Sequence, residues 1–506
     1  DTDPNLTIEN TYAVYPVYPV SDEMEGVAST FVLAADSDNV EIDPGSSAED
    51  PAVYLAIPFS AAGGRSDTVD KMAVGDLDGD GKLDYVVKHP LGLYDPGVGT
   101  IGTQDDYKIA VYDSDGTFRW EVDLGPNITQ GTWWSPMVVY DLDGDGKAEV
   151  ITKTAPASAI PRNGAGYLLT GDEYFTIYDG ETGDVRAQTN WIARGNVSDW
   201  GDSYGNRCNR HMLGIAYLDG IHPSLIVMRG LYQKMVVEAW NLSQSGELTK
   251  QWTWNRAGDQ GGGFHQIRTG DVDGDGKEEI IHGSICIDDD GTTLWDTGQY
   301  HGDRLQLTDI DPDRPGLEIW SVQEDPSQYE NPLNLRDASD GTLIYGVGDD
   351  SYGDVGRGLV ADIDPGYDGL ECWSSTVAGD LHDATGTYVA ERPTYANSFV
   401  CDRAYWWGTD LLREISMGGR MFSWNYTTDS VTRIGTCDPI AVADVVGDWR
   451  EEILYYDATN HKIKIGTAIT VTSERFYTLM QDPIFRNDVS SSANGYQNSN
   501  YTTFYM

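Results

Sequence analysis

The stretch DLDGDGK occurs twice in this chain, at Asp76–Lys82 and Asp141–Lys147, and a third copy reads DVDGDGK at Asp271–Lys277. Each copy places acidic side chains at alternate positions, and its glycines allow the backbone to fold back so that the carboxylates face one another. A hard cation such as Ca²⁺ prefers a cage of oxygen ligands of this kind. The sequence therefore predicts calcium-binding turns. The predicted ligands are Asp76, Asp78, Asp80, Asp84, Asp141, Asp143, Asp145, Glu149, Asp271, Asp273, Asp275 and Glu279.

The residues on either side of these turns indicate strands, not the helices of an EF-hand. Around the first turn, MAVGD precedes and DYVV follows, and short runs of this composition are typical of strands. Eight related units, most of them followed by a further strand, predict an all-β protein, an eight-bladed β-propeller. The looser copies begin at Tyr217, Thr308, Ala361, Trp407 and Ala443.

The N-terminal segment lacks the repeated turn. Residues 1–64 contain VYPVYPV and a strand-like TFVLAA, and we interpret them as a strap or small β appendage. Residues 65–506 then form the propeller domain. Because the repeats are unevenly spaced, some blade connections are long enough to build a site on one face of the ring.

The amino-acid composition of the chain limits the kinds of partner that it can bind. With 82 acidic against 33 basic residues, a formal net charge of −49 argues against nucleic acid and against an anionic membrane. No apolar run approaches the ~20 residues that span a bilayer. The chain begins at Asp1 without an initiator methionine or a signal peptide, so we expect a processed, secreted protein. We also expect a monomer. The five cysteines are scattered along the chain and do not have the spacing of a zinc site. A disulfide between Cys372 and Cys401 is one possibility, and most of the cysteines are expected to be buried free thiols.

One long block is more specific than the repeats. Ala193–Gly230, reading ARGNVSDWGDSYGNRCNRHMLGIAYLDGIHPSLIVMRG, closely resembles the family 11 rhamnogalacturonan lyases, and the resemblance covers roughly residues 70 to 506. It implies a secreted enzyme that cuts the rhamnose–galacturonate backbone of pectin on an eight-bladed, calcium-rich propeller. The resemblance continues through HGDRLQLTDIDPDRPGLEIW (His301–Trp320), DVGRGLVADIDP (Asp354–Pro365), WWGTDLLREI (Trp406–Ile415), GDWREEILYY (Gly447–Tyr456) and YTLMQDPIFR (Tyr477–Arg486).

The resemblance also implies a central calcium site, made by His265, His301, Asp303 and Glu324. Histidine is an unusual ligand for a hard cation, so the residues alone would suggest a transition metal, or two imidazoles that only support the site. Either histidine taken alone would be interpreted as an ordinary core histidine. The family's substrate-facing arginine falls on Arg357, which could instead form a structural ion pair.

The chemistry of a uronate lyase requires a cation that neutralises the carboxylate and a base that removes the C5 proton. A lysine important for activity in the family is missing here, because its position is occupied by Cys437, a poor base. The candidate bases are Tyr496, His89 and a calcium-activated water, with Tyr496, the family's C-terminal substrate tyrosine, favoured over the other two; Tyr496 reads equally well as core. The predicted substrate contacts are Gly435, Thr436, Arg304 and Lys88.

These observations predict a calcium-dependent polysaccharide lyase acting on rhamnogalacturonan I. Another rhamnose–uronate polymer, such as an ulvan-like algal one, stays open because the lysine is replaced. The rival from another class is a non-catalytic calcium-dependent propeller that binds glycans or mediates adhesion, and the lost lysine would agree with that function. An assay for the unsaturated uronate product separates a lyase from a binding module.

Overall fold

Each acidic turn of the repeat joins the first two strands of a four-stranded antiparallel sheet, and the computed structural model contains eight such sheets. This arrangement confirms the predicted eight-bladed β-propeller. The residues that the structure describes are 51–59, 68–92, 95–102, 106–258, 261–324, 331–348, 354–375 and 379–506.

The strands follow one another from the innermost to the outermost position of each blade, and the blades follow one another around the ring. The first strand and blades 1 to 4 are β1 Ala52–Pro58, β2 Lys71–Gly75, β3 Asp84–His89, β4 Lys108–Tyr112, β5 Phe118–Asp123, β6 Met137–Tyr140, β7 Glu149–Thr154, β8 Tyr174–Tyr178, β9 Val185–Asn190, β10 His211–Ala216, β11 Ser224–Arg229, β12 Lys234–Leu242, β13 Leu248–Ala257, β14 Arg268–Gly270, β15 Glu279–Ile281, β16 Ile285–Ile287 and β17 Thr293–Asp296.

Blades 5 to 8 repeat this pattern, and a small hairpin, β26 with β27, lies between blades 6 and 7. Their strands are β18 Gly302–Thr308, β19 Glu318–Gln323, β20 Leu333–Asp337, β21 Leu343–Val347, β22 Gly358–Ala361, β23 Glu371–Ser374, β24 Leu381–His382, β25 Tyr388–Ala390, β26 Thr394–Tyr395, β27 Ser398–Phe399, β28 Arg403–Tyr405, β29 Glu414–Met417, β30 Arg420–Asn425, β31 Ser430–Gly435, β32 Ala441–Ala443, β33 Glu452–Asp457 and β34 Lys462–Thr467.

The ring is closed by the first described strand. β1 is the outermost strand of blade 8, where Ile57 pairs with Ile463 of β34, so this sheet combines both ends of the domain. β1 therefore belongs to the propeller, although it lies within residues 1–64, which the sequence assigned to a separate strap. Residues 1–50, which contain VYPVYPV and TFVLAA, lie outside the described residues.

The C-terminal segment fills the axis of the ring. Helix α1, Pro483–Ser490, contacts the innermost strands of blades 1 to 4, and its buried Asp488 forms an ion pair with Arg268 of β14. Beyond the helix, the Asn494 side chain donates a hydrogen bond to the Met137 carbonyl oxygen at 3.0 Å. These contacts fix the tail and carry Tyr496 to one face of the propeller.

The innermost strands of the eight blades all begin at one face and end at the other, where the acidic turns follow. Residues just before these strands, or at their first positions, therefore share the face opposite the acidic turns. Among the described residues no helix is long and apolar enough to cross a membrane. Cys372 and Cys401 are both buried free thiols, so the Cys372–Cys401 bridge does not form.

Candidate active site

Two histidines from neighbouring blades meet at the centre of this face. His265 precedes β14 and His301 precedes β18, and their Nε2 atoms are 3.1 Å apart. Glu324 follows β19 and places Oε2 2.9 Å from Nε2 of His301, while Oδ1 of Asp303 lies 3.8 Å from Nε2 of His265. The structure therefore brings together the four residues that the resemblance implied.

The hydrogen bonds of His301 show which nitrogen can bind a cation. Its Nδ1 bonds to the carbonyl oxygen of Gly263, and because a carbonyl only accepts, Nδ1 carries a proton, which leaves Nε2 as the nitrogen that could bind a cation. Nε2 faces Nε2 of His265 and the carboxylate of Glu324. Imidazole nitrogens and carboxylate oxygens that converge in this way fit a metal ion, with all three donor atoms within 4.8 Å of one another.

Burial dominates the electrostatics of this centre. It lowers the pKa of His265 well below its ordinary value, and the adjacent His301 lowers it further. Burial also raises the pKa of Asp303 to about 6, with a further contribution from Glu324. A bound cation would pair with these carboxylates and offset the cost of burying them.

An arginine and a tyrosine stand beside the histidines. The guanidinium of Arg357 lies 4.9 Å above the ring of Tyr496, and that ring is 5.1 Å from the ring of His265. Arg357 is 43% exposed and its Nη1 is 3.1 Å from Oδ1 of Asp402, so its ion-pair partner comes from the next blade. Burial and the nearby Asp303 raise the pKa of Tyr496. The arginine thus presents charge to solvent at the centre of the face.

A polar cavity of about 170 Å³ opens next to Arg357. Asp438 lines this cavity, whereas the preceding Cys437, at the position where the resemblance implied a lost lysine, is buried in an apolar cluster with Tyr405 and Met421. The predicted contact Gly435 ends the adjoining strand β31, Thr436 follows it, and the Thr436 hydroxyl accepts a hydrogen bond from Arg433. The lining side chains that carry charge or an amide are Arg357, Asp402, Arg403, Asp438 and Asn498.

Two aromatic residues that sequence reasoning missed form a wall on the other side of the histidines. The Trp133 ring is 4.8 Å from that of His265, and the Tyr232 ring is 4.4 Å from that of His301. Arg210 lies 5.2 Å from the Trp133 ring and donates hydrogen bonds to Asp95 at 2.8 and 2.9 Å. These residues occupy irregular loops, and the only sequence signal near them is the RCNRHM run that contains Arg210.

The structure corrects three of the predicted site residues. Lys88 is fully buried and donates hydrogen bonds to Ser135, and Arg304 is 1% exposed and donates to the carbonyl oxygens of Cys401 and Asp402, so neither can touch a polysaccharide directly. His89 is buried 3.1 Å from Glu121 inside blade 1. It does not join the histidine centre and is not placed as its base.

The acidic turns at the opposite face fold as the motif predicts. In the first, the carboxylate of Asp76 accepts hydrogen bonds from the backbone N–H groups of Gly79 and Gly81. Oxygens of Asp76, Asp78 and Asp84 lie close enough to share one ion, and the turns of blades 2 and 4 contain the same grouping. Burial raises the pKa of Asp84 to about 7. The Oδ1 atoms of the third acids, Asp80, Asp145 and Asp275, accept hydrogen bonds from the backbone N–H groups of the lysines two positions on.

The three turns differ in what faces them. Arg119 of β5 reaches the first turn, with Nη2 2.6 Å from Oδ2 of Asp78, and Arg186 of β9 reaches Asp143 in the second. Arg119 and Arg186 each occupy a β-bulge in the outermost strand of their blade, and the corresponding bulge residue in blade 4 is Leu294. Among the described residues, no arginine forms an ion pair with the blade 4 turn, and Oε1 of its buried Glu279 has no hydrogen-bond partner.

Comparison with known proteins agrees with this geometry. Residues 63–506 match the family model described as "Rhamnogalacturonan lyase family 11, C-terminal domain". The chain is 40% identical over 469 residues to the rhamnogalacturonan endolyase YesW of Bacillus subtilis, covering 86% of this chain and 73% of that protein. It is 36% identical to the exolyase YesX of the same organism, covering 86% of this chain and 76% of that protein. The crystal structure of YesW superposes with a TM-score of 0.82 at 38% identity, covering 89% of this chain and 82% of that one.

The propeller, the histidine–carboxylate centre and these matches make the protein a polysaccharide lyase. The non-catalytic binding module that the sequence left open is therefore excluded. The chain belongs to rhamnogalacturonan lyase family 11.

Proposed function

We propose that this enzyme is a secreted, calcium-dependent lyase that cleaves the rhamnose–galacturonate backbone of rhamnogalacturonan I by β-elimination. The observation that carries the proposal is the position of Arg357, at the edge of the polar cavity and beside the centre made by His265, His301 and Glu324. The names of the two relatives, an endolyase and an exolyase of rhamnogalacturonan, support the same substrate.

β-Elimination needs positive charge at the uronate carboxylate. Removing the C5 proton places negative charge beside an ionised carboxylate, so groups that neutralise this carboxylate stabilise the transition state. A calcium ion held by His265, His301, Asp303 and Glu324 would supply such charge as a Lewis acid. Arg357 can pair with the same carboxylate through two parallel N–H groups.

Tyr496 can act on the leaving oxygen. Its ring lies between the guanidinium of Arg357 and the imidazole of His265, next to the proposed calcium ligands. A phenol has an ordinary pKa of about 10 and is protonated at neutral pH, so this hydroxyl is a hydrogen-bond donor. A group that donates to the departing oxygen helps the C4–O bond to break.

The test measures the ultraviolet absorbance of the unsaturated uronate on purified rhamnogalacturonan I. Homogalacturonan, which lacks rhamnose, is the control polymer, and a sulfated rhamnose–uronate polymer tests the alternative substrate. We expect product from rhamnogalacturonan alone, no product after exhaustive chelation, and recovery with calcium. Product from the sulfated polymer alone would assign the other substrate, recovery with zinc but not calcium would assign a transition metal, and no product from any polymer would refute the lyase.

Secretion follows from the size of the substrate, since a pectin backbone cannot enter a cell before it is cut. Fractionation of the native host should find the protein and the product-forming activity in the culture medium. A protein retained inside the cells would contradict this part of the proposal.

A further inference from the structure

Arg207 differs from every other arginine in the part of the chain that the structure describes. Each of the others forms a side-chain ion pair or donates a side-chain hydrogen bond, whereas the guanidinium of Arg207 does neither. Its side chain is half-buried. Arg207 is therefore a cation that an anion from outside the chain can reach.

This arginine lies on the face that carries the site. It begins a short 3-10 turn, Arg207–Asn209, that leads into β10, the innermost strand of blade 3. Residues at this place in a blade share the face opposite the acidic turns, as His265 and His301 do. The carboxylate of Asp202 accepts a hydrogen bond from the backbone N–H of Arg207 at 2.6 Å, which anchors the turn.

Arg207 and Arg357 have matching places around the histidine centre. The guanidinium of Arg207 lies 5.0 Å from the centre of the Tyr232 ring, and that ring is 4.4 Å from the ring of His301. Arg357 is linked to His265 through one tyrosine ring in the same way. Because one arginine precedes blade 3 and the other precedes blade 6, they approach the centre from different directions.

The contact with Tyr232 leaves the donors of Arg207 unused. A cation–π contact holds a guanidinium through its charge and does not engage its N–H groups. A planar carboxylate can accept two parallel hydrogen bonds from such a group. Arg210, the other arginine of this wall, already donates to Asp95 at 2.8 and 2.9 Å. Of these two arginines, Arg207 is therefore the one that can take a carboxylate.

We propose that Arg207 binds the carboxylate of a second galacturonate of the substrate, while Arg357 acts at the galacturonate that is cleaved. This assignment rests on the proposed function. Rhamnose and galacturonate alternate along the backbone, so carboxylates recur at every second sugar. A chain that crosses the histidine centre then presents one carboxylate to each arginine. Arg207 takes no part in bond breaking and sets the position of the polymer in the site.

The experiment compares kcat and KM of Arg207→Met and Arg207→Lys with the wild type on rhamnogalacturonan I. Methionine removes the charge and the donors, whereas lysine keeps the charge without the paired donors. We expect KM to rise about 10- to 100-fold in Arg207→Met and less in Arg207→Lys, with kcat little changed. Arg420→Met is the matched control, because Arg420 also lies over a tyrosine ring, 5.9 Å from that of Tyr395, on an outer strand.

A pair of oligosaccharides of equal length identifies the carboxylate that Arg207 binds. One contains three galacturonates, and in the other the two outer galacturonates are methyl esters, so only the central sugar keeps its charge. In the wild type, esterification should lower kcat/KM about 10- to 100-fold. In Arg207→Met it should have little further effect, because the partner of the outer carboxylate is already lost.

Each other outcome has a separate meaning. Wild-type KM in a folded Arg207→Met, or a wild type that cleaves both oligosaccharides equally well, would overturn the assignment. A loss confined to kcat would place Arg207 at the cleaved sugar and would overturn it too. If Arg207→Met does not fold, Arg207→Lys and the effect of esterification on the wild type decide. A wild type that forms no unsaturated product from any polymer would refute the proposed function itself, whereas an active wild type with an unchanged Arg207→Met refutes only the second binding site.

Discussion

Replacing Arg357 with alanine should separate activity from stability. The Arg357–Asp402 ion pair is partly exposed, at 43% and 31%, and such pairs contribute about 0–1 kcal/mol to the free energy of unfolding. Its contact with the Tyr496 ring, 4.9 Å away, adds about 0.5–1 kcal/mol at an exposed site. The variant should therefore lose less than about 2 kcal/mol of stability. Loss of a group that stabilises developing charge costs about 10²–10³ in kcat.

The assay is the initial rate of unsaturated product, combined with a urea unfolding curve for each variant. Arg420→Ala is the matched control, because Arg420 also stacks on a tyrosine, 5.9 Å from the ring of Tyr395, on an outer strand of blade 7. We expect the control to keep its kcat and Arg357→Ala to lose at least a hundredfold. A folded Arg357→Ala with wild-type kcat/KM would refute its role at the carboxylate.

The remaining predictions concern ions and charge. Exhaustive chelation should lower the melting temperature, since a ligand at a hundredfold excess over its Kd adds about 2.7 kcal/mol per site; an unchanged melting curve would contradict calcium binding. In the presence of chelator, Arg119→Leu should unfold at a lower temperature than the wild type, because it removes a cation that faces an acidic turn, and Leu294→Arg should unfold at a higher temperature, because it adds one. Equal melting temperatures would refute the neutralising role of these cations. Glu173→Gln should cost about 3–5 kcal/mol in urea, because this buried carboxylate pairs with Lys153, Arg194 and Arg229, and a smaller loss would mean that the three cations find other partners.

Glu173 should also make the free energy of unfolding depend on pH. The three cations hold the pKa of Glu173 well below its ordinary value, against the opposing effect of burial. A carboxyl with a lowered pKa in the folded state stabilises the protein above the pKa of the unfolded state, about 4.3, and this stability is lost as the pH falls below it. Unfolding free energies from pH 7 to pH 3 should therefore fall more steeply for the wild type than for Glu173→Gln. Parallel profiles would show that other groups cause the loss.

The fold was predictable because its determinants are local. Each acidic turn needs only its own glycines and carboxylates, and the short apolar runs beside it specify strands within a dozen residues. The closure of the ring was not predictable in this way. β1 pairs with β34 from the other end of the chain, and nothing in the sequence of Ala52–Pro58 identifies that partner strand. Pairing over such a distance depends on the geometry of the whole ring.

The site was predictable only where the resemblance supplied positions. His265 and His301 come from loops of different blades, and the sequence alone would have favoured ordinary core histidines. The assignments of Lys88 and Arg304 as substrate contacts failed because a long side chain can turn into the protein or out of it, and residue type does not decide which. Trp133 was missed because it lies in an irregular loop without a motif.

The distribution of charge explains how so acidic a protein can act on an acidic polymer. The acidic turns lie at the face opposite the site, where Arg119 and Arg186 neutralise part of their charge. Of the arginines near the axis, Arg268 is matched by a buried carboxylate, whereas Arg357 is paired with a partly exposed one. Arg357 therefore keeps a partly exposed positive charge at the site although the whole chain has a formal net charge of −49. Because salt screens the attraction between this positive charge and the acidic polymer, the KM for the polymer should rise with ionic strength while kcat changes little. A KM that falls with ionic strength would show that repulsion by the net charge of the chain dominates binding, and a KM that does not depend on salt would show that long-range charge does not govern it.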